Sequence, residues 1–201
     1  MDSTKVKPQY TTTKVRNQKF FEYMIYTLII IGVILAAIGN YFQKNNNKEA
    51  LHKGLLQTSI AGYMVSAIGL LILLPFSIKF NTIKANPNSS IISKISTALY
   101  RIVGYPLPTI LTIAVLGLAV AQLMKFQDRL LSHHVANEYY TWSNTFSFLL
   151  LIQMSILLNY LINGKDDPNG PMRYMIYLLT VFNSILLGIT YIILQYFSTD
   201  G

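Results

Sequence analysis

Residues 20–42 read FFEYMIYTLIIIGVILAAIGNYF, an apolar run broken by one charged side chain, Glu22. An α-helix rises about 1.5 Å per residue, so about 20 such residues cross a hydrocarbon layer of about 30 Å with every backbone group paired internally. The run is long enough. Its ends carry Phe20, Phe21, Tyr23, Tyr41 and Phe42, the aromatic side chains that settle at headgroup level. Ala36 and Ala37 after the apolar run would also suit a cleaved signal peptide, but the 19-residue lead-in is long and the run exceeds a usual h-region.

Four more blocks follow, at 55–78, 106–126, 140–162 and 172–197. Tyr139, Tyr140 and Trp142 edge the fourth, and Tyr174, Tyr196 and Phe197 the fifth. Pro106 and Pro108 open the third, where a missing N–H costs nothing in a first helical turn. Pro75 falls in the last turns of the second and is expected to end or kink it.

Composition agrees. The 201 residues are 52% hydrophobic and 12% charged, too few charges to cover a globule in water. With no cysteine, neither a disulfide framework nor a thiolate metal site can form. The net charge of +8 would suggest nucleic acid in a soluble chain, but the basic residues lie between the apolar blocks, which favours anionic headgroups. Counted on alternate sides, eleven Lys and Arg flank the N-terminal side and five the other, so the N-terminus is expected in the cytoplasm. The headgroup contacts expected are Lys5, Lys7, Lys14, Arg16 and Lys19 in the tail, with Lys94 and Arg101 in the second connection. In that connection Ile91, Ile92, Ile95, Leu99, Ile102 and Val103 share a face, as in an interfacial helix or an extension of the third span.

Small residues fall at helical spacing. Gly32, Ala36 and Gly39 line one stripe of the first helix, and Ser59, Gly62, Ser66 and Gly69 one stripe of the second. Ala114, Gly117 and Ala121 do so in the third, and Thr180, Ser184 and Gly188 in the fifth. Such stripes let backbones approach closely, and packing drives helix association in lipid, so all four are expected to face protein. In the fourth helix Thr141, Asn144, Ser155 and Asn159 gather within about 60°, with Gln153 nearly opposite. They are expected to hydrogen-bond Asn183, Ser184 and Gln195 of the fifth helix, or else to line a hydrophilic path.

No acid, base or histidine lies near the middle of a block, which disfavours ion-coupled carriers, proton relays and voltage sensors. His133, His134 and Glu138 form a weak metal-ligand pattern, and Asp166 to Pro171 reads as a tight turn. No phosphate loop, serine elbow or zinc-protease motif is present. The sequence therefore predicts an all-α polytopic membrane protein: a basic tail at 1–19, a compact five-helix bundle over 20–197, a candidate interfacial helix, and a short tail at 198–201. The expected role is non-enzymatic, a structural or assembly component of a larger membrane-associated complex in an organelle or virion membrane. The alternative is a small channel or facilitator with a polar path along the fourth helix. Expected partners are anionic lipid and other membrane proteins or further copies of the chain, with no metal, cofactor or nucleic acid.

Overall fold

A computed structural model describes residues 10–43, 49–79, 90–92, 95, 106–132, 135–163 and 171–197. Side chains are described from residue 19 onward in the first helix and over 51–75 in the second. All regular structure among the described residues is helical: α1 (Tyr10–Gln43), α2 (Glu49–Lys79), α3 (Pro106–Lys125), a short α4 (Gln127–Leu131), α5 (Asn137–Asn163) and α6 (Pro171–Tyr196). Five stretches are long and apolar enough to span a bilayer: Lys19–Gln43, Leu51–Pro75, Pro106–Lys125, Asn137–Asn163 and Pro171–Tyr196. The chain is an all-α, multi-pass membrane bundle.

Two helices differ from the sequence reading. The first helix begins at Tyr10, well before the apolar block. The second starts at Glu49, six residues before its block, and runs through Pro75 to Lys79, so the proline does not end it. A proline so close to a helix end removes the bond to the carbonyl one turn back, on Leu71, and few later bonds depend on it.

The five spans form a ring: α1 packs on α2 and α5, α3 packs on α2 and α6, and α5 and α6 close the circle. Its polarity is inverted relative to a soluble bundle. Leu28, Ile31, Ile34, Leu35 and Ile38 of α1 and Leu178, Val181, Phe182 and Ile185 of α6 point outward, while Asn40, Gln43, His52, Gln153 and Asn183 are buried. Water would penalise that outer surface, whereas hydrocarbon accepts it, and the inward amide N–H groups of Asn40, Gln153 and Asn183 find partners in protein, while Asn40 Oδ1 and Asn183 Oδ1 do not. Between them lies an apolar core that includes Ile29, Leu70, Leu116, Leu150, Met154, Leu157 and Ile176.

The tightest seam joins α1 to α2. A Cβ added to Gly32 would stand 2.7 Å from the Gly62 carbonyl oxygen, and one added to Gly62 would stand 2.7 Å from the Ala36 nitrogen. Only glycine permits that approach. The serines of the α2 stripe use it: Ser66 Oγ donates to the Ile29 carbonyl at 3.0 Å and Ser59 Oγ to the Ala36 carbonyl at 3.3 Å. The α3 stripe behaves differently. Ala114, Gly117 and Ala121 are exposed on the outer face, and nothing lies within 4 Å of a Cβ built on Gly117. Of the α6 stripe, Thr180 is buried, but Ser184 and Gly188 are exposed. The expectation that these stripes face protein within the chain is corrected for α3 and for most of α6. Leu116, Ala119 and Leu123 bury instead on α3, because the ring leaves each helix only one inward arc.

Candidate functional site: the polar interior

Four clusters of polar side chains line the inside of the ring. Nearest the N-terminal side is Gln153 of α5, fully buried. Its Nε2 donates to Thr112 Oγ1 of α3 and Thr180 Oγ1 of α6, both at 2.9 Å. Its Oε1 accepts from Asn183 Nδ2 at 2.7 Å. One amide thus ties three helices. Each threonine hydroxyl passes its own proton back one turn, Thr112 to the Pro108 carbonyl and Thr180 to the Ile176 carbonyl, both at 2.8 Å.

About 9 Å further along α5, six residues at the helical rise, Ser147 meets Asn40 of α1 and Tyr63 of α2. Asn40 Nδ2 donates to Tyr63 Oη and to Ser147 Oγ, both at 2.8 Å, and the two hydroxyls stand 2.9 Å apart. Ser147 Oγ also donates to the Ser143 carbonyl at 2.9 Å. A third cluster joins α3 to α6. With its oxygen turned toward Thr190, the Gln122 amide accepts from Thr190 Oγ1 at 2.8 Å and from the Tyr191 N–H at 3.2 Å, while Nε2 donates to the Leu187 carbonyl at 3.2 Å. Asn40, Tyr63, Gln122, Tyr139, Ser143 and Thr190, together with apolar Ala119, Leu123, Phe146 and Leu187, border a partly open space of about 10 Å³.

The fourth cluster closes the C-terminal side. His52, fully buried at the start of α2, sets Nδ1 3.1 Å from the Gln43 carbonyl and Nε2 2.6 Å from the Leu130 carbonyl of α4. Arg129 of α4 donates to the carbonyls of Leu194 and Gln195, acceptors that the end of α6 leaves open. Lys125 reaches Tyr191 Oη and lies over the rings of Phe126 and Tyr191. Short α4 is thus a latch from α2 to α6. No known protein family, curated protein or solved structure matches this chain.

The polar residues singled out on the fourth span are not in this interior. Thr141, Ser155 and Asn159 are exposed and Asn144 is half-buried at the α1 seam. Ser155 Oγ donates to its own Leu151 carbonyl at 2.9 Å, and Asn159 accepts from Asn163 Nδ2 at 2.6 Å and donates to Met172 Sδ at 3.6 Å. The expected partner Asn183 is engaged, but by Gln153, the residue read as pointing away. A hydroxyl can spend its proton on the carbonyl one turn back, so Ser and Thr tolerate the outer face. A glutamine amide with two donors and an acceptor finds no such local partner. That asymmetry was the signal in the sequence that marked Gln153 as the inward residue.

Lys19 and Glu138 are exposed. The side chains of Lys5, Lys7, Lys14 and Arg16 lie outside the described residues, as do Lys94, Arg101, His133, His134 and residues 166–170 of the turn expected over 166–171. Ile91, Ile92 and Ile95 are helical and exposed, and the rest of that amphipathic face lies outside the described residues. Arg173 is buried at the start of α6, its guanidinium 5.0 Å from the Tyr174 ring centre. Among the described residues no three His, Asp or Glu side chains group as metal ligands.

Proposed function

We infer that the chain is a non-enzymatic assembly component of a larger membrane-associated complex. The observation that carries this is the Gln153 clamp. At the depth where a conduction path would need free polar groups, both Gln153 amide protons and its carbonyl are already bonded to Thr112, Thr180 and Asn183. Polar groups used this way are packing bonds between helices, not a hydrated lining. The channel alternative set a polar path along Thr141, Asn144, Ser155 and Asn159, and three of these four are exposed on the outside of the ring, away from its interior. With the interior so occupied, the surfaces left for partners are the outer faces, among them the α3 face of Ala114, Gly117 and Ala121. The basic tail and second connection would meet anionic headgroups on the cytoplasmic side.

Purification of the full chain in mild detergent, followed by reconstitution, tests the reading. The expected result is defined co-purifying membrane proteins and liposomes no leakier to ions or small solutes than empty ones. Flux through the purified chain alone would overturn it in favour of the facilitator. Orientation has its own test, because the natural chain has no cysteine: cysteines placed at Ser3 and Ser198 should be labelled from opposite sides of the membrane, Ser3 from the cytoplasm.

A further inference from the structure

All five spans border the space of about 10 Å³ at the Asn40 and Gln122 clusters: Asn40 comes from α1, Tyr63 from α2, Gln122 from α3, Tyr139 and Ser143 from α5, and Thr190 from α6. Asn40 is 3% exposed, and its Oδ1 is buried without a hydrogen-bond partner from protein. The protons around it are spent elsewhere. Both Asn40 amide protons go to Tyr63 Oη and Ser147 Oγ. Ser147 gives its own proton to the Ser143 carbonyl, so the Tyr63 hydroxyl donates to Ser147 Oγ at 2.9 Å. Neither hydroxyl can turn to Asn40 Oδ1 without giving up a bond already made.

A buried carbonyl without a donor is costly, and native interiors meet that need with protein or with ordered water. The space suits water: about 10 to 15 Å³ is the least that holds one molecule, which then needs two to four polar partners. Asn40 Oδ1 supplies an acceptor. The Gln122 amide, on another wall, has one Nε2 proton on the Leu187 carbonyl and a second to give. A divalent cation is a poor occupant, because no carboxylate borders the space. We propose that this space binds one ordered water, which donates to Asn40 Oδ1, accepts from Gln122 Nε2 and so joins the Asn40–Tyr63–Ser147 cluster to the Gln122–Thr190 cluster. The site is independent of the assembly reading.

X-ray radiolysis of the full chain in detergent, read by peptide mass spectrometry, tests it. Hydroxyl radicals form from water, so a buried side chain is oxidised where a water stands beside it. Tyr139 and Phe146 border the space, whereas Met154 and Ile176 lie fully buried in the apolar core. Oxidation is expected at Tyr139 and Phe146 and not at Met154, although a thioether is the more reactive group. Asn40→Leu removes the acceptor and Ala119→Val adds methyl groups to the wall, and each should abolish that oxidation. Tyr139 and Phe146 no more oxidised than Met154 would overturn the site. Undiminished oxidation in Asn40→Leu would also overturn it, since the radicals would then come from bulk water. Oxidation that runs on to Met154 and Ile176 would replace the single water with a hydrated interior and favour the facilitator.

Discussion

The α1–α2 seam and the α3–α5–α6 corner hold helices together in opposite ways. The first works by subtraction: Gly32, Gly39 and Gly62 lack the atom that would keep the backbones apart, and Ser59 and Ser66 reach across to the bare carbonyls of Ala36 and Ile29. The second works by addition, one long amide at Gln153 filling the centre and binding Thr112, Thr180 and Asn183. In hydrocarbon neither gains from the hydrophobic effect between helices, so contact geometry and hydrogen bonds must supply the association. The subtractive seam should therefore be brittle toward any added atom, and the additive corner graded in its response to loss.

The largest effect should come from Gly62→Leu. Its Cβ alone would press on the Gly32 carbonyl and the Ala36 backbone, neither of which can swing aside, so a cost of about 3 kcal/mol or more is expected. Thermal unfolding in detergent should show a collapsed or aggregated variant. Gly117→Leu is the matched control: the same change on the open face of α3 should leave the melting temperature within error. Equal damage at both positions would mean that α3 is covered by protein in the purified state. Gly69→Leu should fall between, because the obstacle there is the Ile29 side chain and not backbone.

Next comes Gln153→Leu, which removes the centre of the corner. The threonines keep their bonds to Pro108 and Ile176, so the group left stranded is the Asn183 amide, and a loss of about 1 to 2 kcal/mol is expected. Adding Asn183→Leu should cost little more, since it removes the stranded group. Strictly additive losses in that cycle would show that the two amides do not act through one bond. His52→Leu ranks below it. It removes the one ring N–H that a neutral imidazole can give to either the Gln43 or the Leu130 carbonyl, and about 1 kcal/mol is expected.

The two regions also differ in how far the sequence disclosed them. The spans were legible because bilayer thickness sets a length that any apolar block either meets or misses. The glycine stripe of α1 was legible because its spacing belongs to one helix and its partner stripe is next in the chain. The same spacing on α3 was misleading: a stripe states what can approach, not what does, and the ring turned Ala114 and Gly117 outward. The polar corner was misread for a chemical reason. Setting Thr141, Asn144, Ser155 and Asn159 on the partner-seeking face and Gln153 away from it overlooks the carbonyl one turn back, which satisfies the Ser155 hydroxyl, and the need of the Gln153 amide for another helix.

Asn159→Leu should have the smallest effect and separates the two readings of the fourth span most cleanly. If Asn159 were packing glue toward α6 or part of a hydrated path, its replacement would lower stability or change flux. Its bonds are to Asn163 one turn on and, at 3.6 Å, to the Met172 sulfur at the start of α6, so its one link to that helix is a weak thioether contact on the exposed surface. A leucine there replaces an exposed amide with a side chain at home in hydrocarbon, so the melting temperature should shift by no more than the equivalent of about 0.5 kcal/mol, the range of ordinary surface substitutions. Liposomes containing the variant should be as tight as those with the natural chain. A stability loss approaching that of Gln153→Leu would mean that α5 is rotated from the position described, since at about 100° per residue Gln153 and Asn159 cannot both face the centre of the ring.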